Sequence, residues 1–196
     1  MIEYRLATEK DEKKIAELHH DYINKGFLSE LGINFLELLY KAMIKSNEIV
    51  CIVAEKENEI IGFVSGAIDL KKFYKEFFKR NFLKATFKIF PKVFNPKILL
   101  KIYETIFYPI KINQTIPHAE LLSIVVKEEY QGKNIGEELF KYLKKEFKKR
   151  GVSEFKVIVG ENLPKAVKFY EKMNGKLIGK IEVHRGNISR IYGWKI

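Results

Sequence analysis

The feature that most constrains the fold is an apolar run that leads through a short loop into an amphipathic helix. Residues 119–126 have the apolar composition of a buried strand. A helix is predicted from about residue 133 to 150, and Gly151 ends it. Its apolar stripe recurs at helical spacing and consists of Ile135, Leu139, Leu143 and Phe147. A strand followed directly by such a helix indicates an α/β domain.

The loop between this strand and this helix has the composition of an anion-binding site. It reads Gln131, Gly132, Lys133, Asn134, Ile135 and Gly136. A helix N-terminus offers unpaired backbone N–H groups and a partial positive charge, which suits a diphosphate. Asn134 is the non-glycine residue that best tolerates a left-handed backbone conformation. The alternative is a tight turn that only caps the helix. The loop lacks the ending of a kinase-type P-loop and the dinucleotide-binding fingerprint.

The rest of the chain predicts one domain over residues 1–196. Further strands are predicted at 2–6, 49–54, 60–68, 155–159, 177–183 and 188–194, and further helices follow Asp11, surround Phe35 and begin near Pro164. The segment 71–112, between the third and fourth strands, has a different composition. It is predicted to be a helical insertion, which Pro91 and Pro96 divide into two short helices.

A second pattern lies downstream, where Asn162, Ala166 and Tyr170 are spaced by four residues across the start of a predicted helix. This stretch resembles the segment Asn-x-x-x-Ala-x-x-x-Tyr-Glu-Lys of the GNAT superfamily of N-acetyltransferases. Lys176 stands where a Phe often follows the glycine in that superfamily. The position of the segment after a strand also fits the GNAT order of motifs.

The loop resembles the GNAT superfamily as well, because that superfamily has Gln/Arg-x-x-Gly-x-Gly/Ala directly after a strand. Gln131 and Gly136 match this pattern, while Asn134 replaces the middle glycine. The two resemblances together cover residues 119–176. They imply an α/β fold with a twisted mixed β-sheet that is flanked by helices and splayed where the cosubstrate enters. The helical insertion at 71–112 is longer than the usual connection in that superfamily and lies outside the resemblance.

The resemblance also implies acetyl-CoA as cosubstrate and an amine that attacks the thioester directly in a ternary complex. Tyr170 would protonate the departing thiolate. The strand edge at Ile124, Val125 and Val126 would pair with the pantetheine arm, which Asn162 would also contact. The backbone amides of residues 131–136 would hold the pyrophosphate, with help from Lys133. The lysines expected to reach the 3′-phosphate are Lys141, Lys144 and Lys145.

Glu120 begins the strand before the loop, where some GNAT enzymes place a general base. An acceptor amine is an ammonium at neutral pH, so a group must take its proton. A free glutamate, with a pKa of about 4.3, is a weak base unless burial raises that pKa or a water relays the proton. His118 lies nearby and is the alternative base. The other alternative is that Glu120 is a solvated carboxylate at the strand edge and has no catalytic role.

The insertion concentrates the charge of the chain. The net charge of the chain is +11, and residues 71–112 contain eleven basic and two acidic residues, which leaves +9, together with eleven aromatic residues. Such a segment predicts an acidic partner. It is expected to cover the acceptor site; the alternatives are a membrane-surface element or packing against the body or a second subunit of a homodimer.

Other features narrow the class of protein. Cys51 is the only cysteine and lies in a predicted buried strand, which predicts a packing role and a cytoplasmic protein. The His, Cys, Asp and Glu residues of the sequence do not show the spacing of metal ligands, so no metal is expected.

The acceptor is expected to be a small-molecule or protein amine, such as an amino sugar, a polyamine, an antibiotic or an amino acid. Two alternatives to an enzyme stay open: a GNAT-fold module without catalytic turnover, and a nucleic-acid binder built on the insertion.

Overall fold

The computed structural model describes residues 1–23, 26–92, 94–111, 116–184 and 186–196. Within them the strands are β1 (Ile2–Leu6), β2 (Ile49–Lys56), β3 (Glu59–Ala67), β4 (Ala119–Val126), β5 (Glu154–Gly160), β6 (Lys176–His184) and β7 (Asn187–Lys195). The helices are α1 (Glu12–Tyr22), α2 (Phe27–Glu30), α3 (Ile33–Lys45), α4 (Leu70–Lys88), α5 (Pro96–Lys111), α6 (Ile135–Lys149) and α7 (Pro164–Lys172). None of the helices in this part of the chain is long and apolar enough to cross a membrane.

The strands form a seven-stranded mixed sheet in the order β1-β2-β3-β4-β5-β7-β6. β4 and β5 run parallel, and their pairing is limited to Ala119 with Phe155, Glu120 with Lys156 and Leu121 with Val157. Beyond Leu121 the two strands part, although β4 continues to Val126 and β5 to Gly160. The predicted mixed sheet flanked by helices, splayed at one point, is therefore confirmed.

Helices cover both faces of the sheet because successive strand residues point to opposite faces. The first core cluster lies under α1, α3 and α4 and includes Ile15, Leu36, Cys51, Phe63, Phe73 and Val125. The second lies under α6 and α7 and includes Leu121, Leu139, Phe147, Phe155 and Tyr170. The buried position of Cys51 agrees with its predicted packing role.

The insertion consists of two helices, as predicted, but they are not short. α4 has 19 residues and α5 has 16. Asp69 caps α4 by accepting a hydrogen bond from the backbone N–H of Lys72 at 2.9 Å, and no proline interrupts the helix before Pro91. Pro96 occupies the first turn of α5, where its missing N–H costs nothing. The predicted turn at 184–187 includes Arg185, which lies outside the described residues.

Candidate active site

The loop after β4 has the left-handed geometry that its sequence predicts. Gly132 has a φ of 75° and Asn134 a φ of 60°, and α6 begins at the next residue, Ile135. The first helical hydrogen bond runs from the N–H of Glu138 to the carbonyl of Asn134. The N–H groups before Glu138 therefore have no carbonyl of their own helix to bind, and the positive end of the helix dipole lies among them.

Gln131 holds this loop against β4. Its backbone N–H donates to the carbonyl of Glu128 at 3.1 Å, and its side-chain amide donates to the carbonyl of Val126 at 3.0 Å. Lys133 also turns back, since its ammonium donates to the carbonyl of Glu129 at 2.9 Å. An anion at this loop would therefore meet backbone N–H groups that begin at Gly132 rather than at Gln131.

The edge of β4 that faces β5 is open beyond Leu121. The N–H of Lys127 donates to the carbonyl of Ile61 in β3, and hydrogen-bonding direction alternates along an antiparallel strand. Val125 therefore bonds towards β3, whereas Ile124 and Val126 lie on the side of the gap, where the carbonyl of Val126 already accepts from Gln131. The side chain of Val125 is buried in the first core cluster. Of the three predicted strand-edge residues, two thus face the gap.

A cleft of about 400 Å³ opens at the gap on the first face of the sheet. β4 and the segment after β5 contribute Glu120, Ser123 and Asn162. The register between β3 and β4 shifts near Gly66, so that Leu122 has no partner in β3. This bulge explains why Glu120 and Ser123, three residues apart, line the same cleft.

The insertion forms one wall of this cleft. Its two helices, α4 and α5, contribute Leu70, Phe73, Tyr74, Lys101, Thr105 and Tyr108. Phe77, in contrast, is buried against Phe35 and Phe73 in the core, and Phe82 is exposed. The residues of the insertion that reach the cleft are therefore those near the two ends where it joins β3 and β4.

Glu120 is a buried, paired carboxylate and not a solvated one. It is 4% exposed, and the hydroxyl of Tyr108 donates to its Oε1 at 2.9 Å. The ammonium of Lys156 lies 3.3 Å from its Oε2 and donates to the carbonyl of Pro117 at 2.6 Å. Burial raises the pKa of Glu120, while Lys156 and Tyr108 oppose that rise by stabilising the charged form. Such a carboxylate is a stronger base than a free glutamate.

The other predicted bases and acids lie elsewhere. His118 is exposed and does not line the described cleft. Tyr170 packs on Trp194 in the second core cluster, with ring centroids 6.0 Å apart, and burial raises its pKa. Tyr170 and Glu120 thus belong to opposite faces of the sheet. Asn162 is exposed at the mouth of the cleft.

Two polar atoms at the cleft have no hydrogen-bond partner among the described residues. They are Nε2 of His19 and Oγ1 of Thr105, and both are buried. The Nδ1 of His19 lies 2.7 Å from the hydroxyl of Tyr40, and burial lowers the pKa of His19 to about 4. His19 is therefore neutral near pH 7. A buried polar atom without a protein partner is costly, so each of these two atoms is available to a water or to a ligand that enters the cleft.

The sequence interpretation missed His19, Thr105, Tyr108 and Lys156. The sequence did contain a signal for Lys156. This lysine lies in the apolar run of β5, and a buried lysine normally has an acidic partner. Glu120 in the apolar run of β4 gave the matching signal. For Tyr108 and Thr105 no such signal existed, because the position of α5 over the cleft depends on tertiary packing.

The described residues contain no group of three or more His, Cys, Asp and Glu that could hold a metal ion.

The profile of the Acetyltransferase (GNAT) family matches residues 13–176, which include the open strand edge, the loop and the cleft carboxylate. The chain belongs to the GNAT acetyltransferase family. No curated protein matches the sequence of this acetyltransferase.

Solved structures share the fold of this GNAT acetyltransferase. Ribosomal-protein-alanine N-acetyltransferase from Brucella melitensis has 17% identity and a TM-score of 0.65, with 99% of each chain covered. NAA60 from Arabidopsis thaliana, in complex with acetyl-CoA, has 16% identity and a TM-score of 0.63 over 100% of this chain and 99% of that one. PaiA N-acetyltransferase from Thermoplasma acidophilum, in complex with coenzyme A, has 17% identity and a TM-score of 0.57 over the same shares. At these identities the likeness establishes the fold.

Proposed function

We propose that this acetyltransferase moves an acetyl group from acetyl-CoA to a primary amine, which attacks while both substrates are bound. The observation that carries the proposal is the parting of β4 from β5 beyond Leu121, next to the N-terminus of α6. An open strand edge that ends at a helix N-terminus is complementary to a chain of amides that ends in a diphosphate. Two proteins of similar fold were solved with coenzyme A or acetyl-CoA, which supports the same ligand here.

The residues at the gap fit this cosubstrate. Ile124 and Val126 would pair with its amides, Asn162 would contact it at the mouth, and the N–H groups of residues 132–136 would hold the diphosphate. Acetyl-CoA supplies a thioester carbonyl, whose oxygen becomes negative when the amine adds to its carbon. An N–H of the open β4 edge would stabilise that charge. Held side by side, the two substrates react without a covalent enzyme intermediate.

We assign the proton transfers to two groups that lie on opposite faces of the sheet. Glu120 takes the proton of the acceptor ammonium, and burial, which raises its pKa, favours that role. Tyr108 lines the same cleft and donates to Glu120, so it offers a relay: its oxygen accepts the amine proton as its own proton passes to Oε1. As the carbon–sulfur bond breaks, Tyr170 donates a proton to the thiolate. Burial keeps that phenol protonated near neutral pH.

The cleft favours an acceptor with one amine and an apolar body. The carboxylates that line its described part are both engaged, Glu120 with Lys156 and Glu30 with Lys101 at 2.6 Å. A polyamine with several ammonium groups would therefore lack counter-charges. Aromatic and aliphatic side chains form much of the wall, including Phe27, Tyr40 and Tyr74. The unpaired Nε2 of His19 and Oγ1 of Thr105 would bind an oxygen of the acceptor.

The test is an acceptor screen by thiol release from acetyl-CoA, with mass analysis of the product. Phenylethylamine and tyramine represent apolar monoamines, and putrescine and spermidine represent polyamines. We expect a higher kcat/KM for the monoamines than for the polyamines. Equal or faster acetylation of spermidine would refute the acceptor class but not acetyl transfer. Absence of thiol release and of coenzyme A binding would refute the proposed function itself.

A further inference from the structure

The insertion carries an apolar surface that the rest of the described protein leaves uncovered. It consists of Phe82, Leu83, Phe87, Phe90 and Phe94, which we call the insertion tip. Phe87 is 83% exposed, Leu83 is 81% exposed and Phe94 is 74% exposed. Single exposed apolar side chains are ordinary on protein surfaces. Five large ones within residues 82–94 form a patch of the kind that marks an interaction site.

The insertion tip is not the face through which α4 packs on the protein. Ala85 and Ile89 are buried in the first core cluster and fix the packed side of this part of the insertion. Leu83 and Phe87 each stand two residues from Ala85, which is about 200° around a helix, so both lie on the opposite side. A helix that is apolar on two opposite sides has a second partner.

The charged residues of the segment that carries the tip are all basic. Between Glu76 and Glu104 the chain has seven basic residues and no acidic one. The basic residues are Lys79, Arg80, Lys84, Lys88, Lys92, Lys97 and Lys101. Lys92 and Lys101 bind Glu30, and the remaining five accompany the apolar side chains along α4 and into α5. Phenylalanines interspersed with lysines match an anionic lipid interface, in which rings enter the acyl boundary while ammonium groups stay at the phosphates.

We propose that the insertion tip docks this protein onto an anionic lipid surface. A second copy of the chain fits the tip poorly, because two such faces would bring their basic residues together without an acidic partner. A single-stranded nucleic acid needs a basic groove with spaced stacking platforms. The tip instead carries the aliphatic Leu83, and Phe90 and Phe94 pack edge to face on each other with centroids 5.4 Å apart.

Docking through the tip has a consequence for the cleft. The tip lies where α4 ends and before α5 begins, while Tyr74, Thr105 and Tyr108 of the same two helices line the cleft. The helices that touch the acceptor are therefore also those that touch the lipid. The docking inference does not depend on catalysis, because it rests on the surface of the insertion alone.

The test is co-sedimentation of the protein with lipid vesicles of two compositions. The full chain is mixed with vesicles of phosphatidylcholine and phosphatidylserine in equal parts, with vesicles of phosphatidylcholine alone, and with polyuridylate. We expect binding to the phosphatidylserine vesicles that added salt weakens. We expect Leu83→Ser/Phe87→Ser and Lys84→Glu/Lys88→Glu each to weaken it on the order of tenfold or more. All four residues are exposed, so circular dichroism and the unfolding midpoint should not change.

Matched controls exchange exposed residues outside the insertion. Leu177→Ser removes an exposed apolar side chain from β6, and Lys10→Glu/Lys13→Glu reverses two exposed lysines near the N-terminus. Both controls should bind the vesicles as the unaltered protein does, apart from a small effect of net charge. Equal binding to both kinds of vesicle, or unchanged binding of the Leu83/Phe87 variant, would overturn the proposal. Two other results would also overturn the proposal if the Leu83/Phe87 variant abolished them. One is a dimer of the unaltered protein in sedimentation, and the other is binding to polyuridylate instead of vesicles.

Discussion

Glu120 and Lys156 face each other across β4 and β5, with the ammonium 3.3 Å from Oε2 of the carboxylate. They form the middle one of the three residue pairs that join these two strands. Each charge is almost fully buried, so the removal of one would leave the other without compensation. The ion pair therefore holds a carboxylate at the point where the sheet opens, which is also where an acceptor amine would meet the thioester.

The first prediction concerns this carboxylate as a base. Burial raises the pKa of Glu120, so its active, ionised form is lost as the pH falls through that raised pKa. In the unaltered enzyme kcat/KM should decline on the acid side at a higher pH than an ordinary glutamate would give. Glu120→Gln should lower kcat/KM by on the order of 10²-fold near neutral pH and remove that decline. The measurement is the pH dependence of thiol release.

Tyr108→Phe is the matched variant for this prediction. The hydroxyl of Tyr108 stabilises the charged form of Glu120, so its loss should raise the pKa of Glu120 further. The acid decline of kcat/KM should then move to higher pH, and a residual rate should remain at alkaline pH. If Glu120→Gln keeps the pH profile of the unaltered enzyme, Glu120 is not the base.

The second prediction concerns the loop at the start of α6. A Cβ at Gly136 would lie 3.5 Å from Phe169 and 3.8 Å from Val126, which is ordinary contact, so the fold should accept a side chain there. The branches of a valine would extend beyond that contact, close to the open edge of β4. Gly136→Val should therefore weaken coenzyme A binding by about tenfold or more, measured by calorimetry, while the urea midpoint changes little. Unchanged affinity would exclude this loop as the diphosphate site.

The third prediction separates proton donation from binding. Tyr170→Phe keeps the buried ring against Trp194 and removes only the hydroxyl. Since the thiolate needs a proton only as the carbon–sulfur bond breaks, kcat should fall by roughly tenfold or more, and the affinity for coenzyme A should stay within about twofold. Stopped-flow turnover and calorimetry measure the two quantities. A loss of affinity with unchanged kcat would mean that Tyr170 only positions the ligand.

The fourth prediction concerns recognition of the acceptor by the insertion. Thr105→Val removes the unpaired Oγ1 at the cleft without a change of shape. If that hydroxyl binds the acceptor, the acceptor KM should rise by about fivefold or more and the affinity for acetyl-CoA should hold. Thr86→Val is the control, because Thr86 is on α4 away from the cleft and bonds the carbonyl of Phe82. Equal effects of both variants would remove Thr105 from the acceptor site.

The fifth prediction concerns stability and His19. Burial lowers the pKa of His19 from its usual 6.5 to about 4, so between these values the unfolded chain binds a proton that the folded chain does not. Stability should therefore rise with pH across this window, by about 3 kcal/mol in total from this residue. Urea unfolding of the unaltered protein and of His19→Asn at several pH values measures the difference. His118→Gln, at an exposed position, should retain the full pH dependence.

The strand, loop and helix around Asn134 could be predicted because local chemistry determines them. A left-handed residue directly before an amphipathic stripe leaves few alternatives, and the observed φ of 60° at Asn134 follows from the residue type. The positions of the strands along the chain and the helical insertion were also predictable, since they follow from apolar periodicity and from Pro91 and Pro96. The lengths of the insertion helices were not, because the prolines mark only where a helix cannot continue.

The composition of the site could be predicted only in part. Glu120 was a candidate from its place in β4, but its partners come from β5 and from α5, which are distant in sequence. Tertiary packing brings Tyr108 and Lys156 to it, and no local pattern encodes that contact. The same applies to His19, whose pairing with Tyr40 depends on how α1 lies against α3.

The narrow seam between β4 and β5 divides the sheet into two unequal parts. Only three residue pairs bridge them within the described strands, whereas β5 and β7 are joined by seven. Any ligand that adds hydrogen bonds to the free edge of Ile124 and Val126 would act as a temporary strand between the two parts. The mechanical cohesion of the domain would then depend on how much of that ligand the cell supplies, and the unliganded chain would be the form most exposed to proteolysis.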